Sequence, residues 1–161
     1  MKTSIIYHSY SGNTRSVAEK VRDACSGNLV EVKLISDYSS LTAYTLGCYR
    51  AMKGICDPIE QKTIDVAADD VIVIGTPVWA GKTTPAINAV VAALQGCKGK
   101  KAVIFATCRK DGGESLPLLK KALEERGMTV AGEFVFDKTG MKDPERINAM
   151  ISAIKAAGSL P

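Results

Sequence analysis

The sequence predicts an α/β fold, one parallel sheet with helices on both faces, and three observations predict it. Residues 71–74, Val-Ile-Val-Ile, form an unbroken β-branched run, which marks a strand buried on both faces. Strand-like and helix-like periodicities alternate five times along the chain. Lastly, the first strand passes into the first helix through Ser9-Tyr10-Ser11-Gly12-Asn13-Thr14, a loop of hydroxyls and glycine. With 161 residues, 46% of them hydrophobic, residues 1–161 read as a single domain with one core, without linker or internal repeat.

The elements follow in order. Ser4 to Tyr7 is a short apolar strand, and Val17, Val21 and Cys25 form the buried stripe of the helix that begins at Asn13. Leu29 to Ile35 alternates apolar and polar residues, as an edge strand does. From Asp37 to Gly54, Leu41, Tyr44, Cys48 and Ala51 or Met52 fall at helical spacing, which predicts an amphipathic helix; Tyr38, Tyr44 and Tyr49 are read as core or rim packing. Cys56 to Ala68 is a loop ending in a short extended approach to strand 3 at 71–74. Thr84-Pro85 starts a third helix with a hydroxyl N-cap and proline in its first turn. Lys101 to Thr107 is a fourth strand, and Leu116 to Arg126 a helix closed by Gly127. Thr129 to Phe136 is the fifth strand, and Asp143-Pro144-Glu145 caps a last helix.

Composition narrows the function classes. A net charge of +4, from 21 basic and 17 acidic residues without a long like-charge run, is too mild for nucleic acid. Five cysteines with no C-x-x-C pair suggest packed thiols rather than a disulfide framework or a metal centre. The absence of a leader-like start or a long apolar run predicts a cytoplasmic protein without membrane insertion.

The first loop is suited to phosphate. Free N–H groups at a helix start, backed by the positive end of the helix dipole, meet a dianion with several donors at once. Ser9, Ser11 and Thr14 can add hydroxyls, and Gly12 lets the backbone curl, by positive φ or by close approach. An ordinary capped turn uses the same residue types. The spacing S-x-S-G-N-T, however, resembles the T-x-T-G-N-T loop with which flavodoxins hold the phosphate of FMN. That resemblance implies a flavodoxin-like doubly wound five-stranded parallel sheet, a three-layer α/β/α sandwich of order 2-1-3-4-5, with FMN at Ser9, Tyr10, Ser11, Gly12, Asn13 and Thr14.

Two further loops fit the resemblance. Gly75 to Thr83 ends in G-K-T, but five residues separate its glycines where a nucleotide triphosphate loop has four, and Pro77 and Trp79 stand where that loop wraps phosphates. It is similar instead to the flavodoxin G-x-P-T-W-x-x-G segment. The cofactor wall would then be Thr76, Pro77, Val78, Trp79, Ala80 and Gly81, with Trp79 on the flavin ring and the Ala80–Gly81 peptide turning over on reduction. After strand 4, Thr107, Cys108, Arg109, Lys110, Asp111, Gly112 and Gly113 would surround the ring's pyrimidine edge. The aromatic residue usual in that loop is missing, so one flavin face should be covered by Arg109, by the Tyr38–Tyr49 region or by a partner molecule.

The resemblance implies an electron carrier serving redox partner proteins, ferredoxin-like or iron–sulfur or flavin oxidoreductases, as a monomer or weak homodimer. No catalytic acid or base is expected, and His8 is read as structural. The missing aromatic keeps an alternative, an NAD(P)H-dependent FMN or quinone reductase of the same superfamily. The chain departs from flavodoxins in charge, since most of them are acidic.

Overall fold

A computed structural model of the chain describes residues 1–159. Five parallel strands form the sheet: β1 Thr3–Tyr7, β2 Asn28–Glu31, β3 Val71–Trp79, β4 Lys101–Thr107 and β5 Thr129–Phe136. Their order is 2-1-3-4-5, as the flavodoxin resemblance implies. The helices are α1 Asn13–Cys25, α2 spanning residues 40–52, α3 Pro85–Ala93, α4 Ser115–Glu125 and α5 Pro144–Ser159.

Strand alternation divides the core. In β3, Val71 and Val73 face α1 and α5, where Val17, Val21, Ile147, Met150 and Ile154 complete one apolar layer. Ile72 and Ile74 face the other way, against Ile87 and Val90 of α3 and Leu116, Leu119 and Leu123 of α4. Burial on both faces is what the uninterrupted β-branched run requires. Caps set the helix starts: Thr84 accepts from Ile87 N–H at 3.4 Å ahead of Pro85, and Asp143 accepts from Glu145 N–H at 2.9 Å.

Three sequence expectations need correction. Strand 2 stops at Glu31 rather than Ile35. One more ladder bond, Val32 N–H to Tyr7 carbonyl, is made, and the chain then leaves β1 because residues 58–60 capture it: Ile35 N–H donates to Pro58 and Glu60 N–H to Lys33. Strand 3 is longer than expected. It runs through Gly75 to Trp79 and pairs with β4 as far as Pro77 opposite Thr107, so half of the expected flavin loop is strand.

The third correction is α2. It is not one regular helix over 37–54: a π-helical turn, Ala43–Gly47, interrupts residues 40–52. Its buried residues are small, Ala43, Gly47 and Ala51, while Leu41, Tyr44, Leu46, Tyr49 and Met52 are exposed. The cause is steric, because a Cβ on Gly47 would lie 2.6 Å from Cζ3 of Trp79. Only a small-residue face can approach that indole, so the large residues turn outward.

Short pieces complete the fold. Lys82–Thr83 returns antiparallel along the end of β3, and Ile64–Asp65 pairs in parallel with Leu94–Gln95. Among the described residues, no helix is long and apolar enough to cross a membrane.

Gly75 tests the close packing of the central strands, because a Cβ there would collide with the Phe105 ring. Gly75→Ala should destabilise the fold by about 1–3 kcal/mol through overpacking. Pairing it with Phe105→Leu should cost less than the two single changes added together, measured as urea midpoints.

Candidate functional site

The sequence-chosen loops meet at the carboxyl ends of β1, β3 and β4. Gly12 takes φ 89° immediately before α1, the left-handed conformation that glycine adopts without strain. It turns the chain so that the N–H groups of residues 10–14 have no acceptor among the described residues. A Cβ on Gly12 would meet nothing within 4 Å, so the hollow of the loop is open. Ser9 Oγ accepts from Arg15 N–H at 3.2 Å, and Ser11 Oγ accepts from Asn13 Nδ2 at 3.3 Å. Each serine therefore keeps its own hydrogen for an anion. Orphan donors, a helix dipole and an open cradle together fit a phosphate.

Thr14 is placed differently from the serines. It is buried, and its hydroxyl lies 2.7 Å from that of Thr107, so the two threonines lock the start of α1 to the end of β4. Thr76 is likewise sealed; its hydroxyl donates to the Pro77 carbonyl at 2.8 Å and accepts from Thr84 N–H at 3.4 Å. Val78 packs on the core layer of α3 and α4. These three side chains build the site's frame.

Trp79, Ala80, Gly81 and Lys82 form a two-residue hairpin turn. Ala80 at φ 50° and Gly81 at φ 74° both have positive φ, as a type I′ turn requires. Ala80 in that region stores strain on the order of 1 kcal/mol. Two contacts hold the turn: Glu114 N–H donates to the Gly81 carbonyl at 2.8 Å, and Lys82 pairs with the Glu114 carboxylate. Gly113 is at φ 53°, and a Cβ on it would sit 2.6 Å from Gly81 Cα. Backbone thus packs directly on backbone between the β3 and β4 loops.

Within the β4 loop, Asp111 accepts from Gly113 N–H at 3.0 Å and the Gly112 carbonyl accepts from Ser115 Oγ at 2.6 Å. Cys108 Sγ lies 3.8 Å from the Phe136 carbonyl, a packed thiol whose pKa burial raises. Arg109 and Lys110 are exposed. Arg109 donates to Tyr44 Oη of α2 at 3.1 Å, so the two candidates for covering the second flavin face are joined to each other.

Trp79 is ringed edge-on by three aromatic groups: Tyr38 at 5.5 Å, Tyr10 at 5.6 Å and His8 at 6.2 Å between centroids. Periodicity gave no sign of this cluster, because its members come from three loops. Behind Tyr38 lies a cavity of about 340 Å³ lined by Ile35, Leu46, Pro58 and the polar groups of Arg50 and Asp57. Asp57 is buried and accepts from both Arg50 Nε, at 2.6 Å, and Tyr38 Oη. Burial, then the Asp57 bond, pushes the Tyr38 phenol up to about 12.

Burial also pushes His8 down to about 4, against the opposing pull of Glu31 and Asp37. The unfolded chain therefore takes up this proton first, near the ordinary 6.5. The stability of flavin-free protein should be insensitive to this group above about pH 7 and should fall as pH drops from 6.5 toward 4. Urea unfolding near pH 7 and near pH 5 would measure the fall, and His8→Phe should flatten it. At the phosphate loop, Gly12→Asp and Gly12→Asn should both cost about 1 kcal/mol of stability through positive φ. Flavin retention should drop far more for the aspartate, which sets a carboxylate against the phosphate.

The geometry agrees with known folds. A flavoprotein structure from Bacteroides eggerthii superposes with a TM-score of 0.78 at 25% identity, over 96% of this chain and 98% of that one. A flavoprotein in complex with FMN from Lactobacillus acidophilus gives 0.67 at 23%, over 88% and 96%. The two-electron reduced flavodoxin of Megasphaera elsdenii gives 0.65 at 21%, over 95% and 98%. No curated protein matches the sequence. The flavodoxin resemblance thus holds for the fold, and residues 1–157 match the model described as NADPH-dependent FMN reductase, so the chain belongs to that family and binds FMN.

Proposed function

We propose that the protein is an NAD(P)H-dependent flavin oxidoreductase that takes a hydride from a reduced nicotinamide and delivers electrons to a small acceptor such as a flavin or quinone. The observation that carries this reading is the family match along almost the whole chain. It displaces the electron carrier as the preferred reading.

When bound, FMN supplies a ring that can receive a hydride and release electrons to an acceptor, which none of the twenty side chains can do. The chain's own contribution is placement. Ser9, Ser11 and the free N–H groups of residues 10–14 would hold the phosphate. Trp79 would wall one side of the ring, and the backbone of residues 107–113 would face its pyrimidine edge. Because the β4 loop brings no aromatic ring, a planar nicotinamide can lie on the opposite side, beside Arg109 and Tyr44.

One observation favours the carrier as a second reading. Leu41, Tyr44, Leu46, Tyr49 and Met52 expose an apolar face of α2 beside the site, where a redox partner protein could dock.

Anaerobic NADPH and NADH should each be tried on FMN-loaded protein. The reductase reading expects rapid and complete bleaching of the flavin's visible absorbance by at least one of them, with multiple turnovers once a free flavin or quinone is added. Protein that only a reduced iron–sulfur protein can bleach would be a carrier.

A further inference from the structure

His8, the only histidine in the chain, stands between the end of β1 and the phosphate loop, its N–H held by the Gly75 carbonyl at 3.3 Å. Its side chain is only 6% exposed, yet neither Nδ1 nor Nε2 has a hydrogen-bond partner among the described residues. A neutral core filler would not be an imidazole, because sealing two polar nitrogens without partners forfeits the bonds they make in water. The ring rests on Trp79, which also touches Tyr10 of the phosphate loop. The unsatisfied nitrogens thus sit where two of the cofactor's loops meet.

We propose that His8 is a positioning residue for the flavin cofactor, whose ring nitrogens take their missing hydrogen-bond partner from the ribityl chain of FMN. The donor set selects that part of the molecule. Held uncharged by burial, the imidazole offers one N–H donor and one lone pair. A ribityl hydroxyl both gives and takes a hydrogen bond, whereas phosphate oxygens only accept and the apolar flavin face does neither. Placement agrees, since Ser9 of the phosphate loop is the next residue and Trp79 of the ring wall is the ring neighbour; the ribityl chain joins those two ends of FMN. FMN reaches the buried imidazole only if its edge-on ring neighbour, Trp79 at 6.2 Å between centroids, shifts on binding.

Three flavins divide the contributions: FMN, riboflavin without the phosphate, and lumiflavin without the ribityl chain. His8→Phe keeps an apolar ring of similar size. It should raise the melting temperature of flavin-free protein, weaken FMN and riboflavin by about tenfold each, and leave lumiflavin unchanged. His8→Gln, which restores a donor and an acceptor, should recover most of the FMN affinity. In wild-type protein the single imidazole gives unambiguous ¹⁵N resonances, and both should move when FMN is added. The proposal falls if His8→Phe binds FMN as wild type does, if lumiflavin is weakened equally, or if the imidazole resonances stay in place on FMN addition. Should His8→Phe fail to fold, the resonances and the glutamine variant still decide.

Discussion

Five backbone N–H groups at the start of α1 find no acceptor among the described residues, and much of the site follows from keeping them that way. A helix start can satisfy such donors with a side-chain cap, but here the capping position is Gly12, which has no side chain to offer. The φ of 89° bends the chain away, and Thr14, which might have folded back, is drawn to Thr107 instead. Most of residues 10–14 are exposed, so an anion that enters the loop gains several charge-assisted hydrogen bonds at once without any donor having to be released from a protein partner. Because the loop contains no lysine or arginine, the anion is met by dipoles and hydroxyls rather than by a mobile point charge.

The Thr14–Thr107 contact makes the arrangement one object rather than three loops. β4 must bring Thr107 level with the start of α1, which requires β3 between them to extend to Pro77, its partner opposite Thr107. Once β3 runs that far, its hairpin lands on Gly113, where glycine on glycine is the only packing with room. Register in the sheet therefore fixes the spacing of the cofactor's loops, and glycine positions record where backbone meets backbone.

Much of this was legible from residues. The β-branched run 71–74, the N-cap at Thr84 and the stripe Val17, Val21, Cys25 each carry local physics strong enough to decide an element alone. The phosphate loop was legible for the same reason. What the sequence could not show depends on non-local shape. The periodicity of 37–54 suggests Leu41 and Tyr44 facing inward, because periodicity cannot register that Trp79 admits only Gly47 and its small neighbours. The shortening of β2 is decided by hydrogen bonds to residues 58–60, and the ring cluster around Trp79 by three loops distant in sequence. His8 was readable as structural because burial is the usual fate of a lone histidine beside an apolar strand; that its nitrogens are left unpaired is a property of the packed state.

Helix α2 illustrates how the fold supports function with little hydrophobic anchoring. Its large side chains face solvent, so contact with the core is confined to Ala43, Gly47 and Ala51. Polar bonds do the rest: Asp57 ties Tyr38 and Arg50 together, and Asn88 of α3 donates to the Ile55 carbonyl at 3.2 Å. Segments held by few buried apolar contacts open at lower cost than the core does. The π-helical turn points the same way, because it interrupts the regular ladder at the place where the helix crosses Trp79. β1, β3 and β4 reach the site as central strands of the sheet, while the α2 side is held by few buried apolar contacts. Tyr44 and Arg109, joined at 3.1 Å between α2 and the β4 loop, can therefore part without disturbing the backbone donors of the phosphate loop.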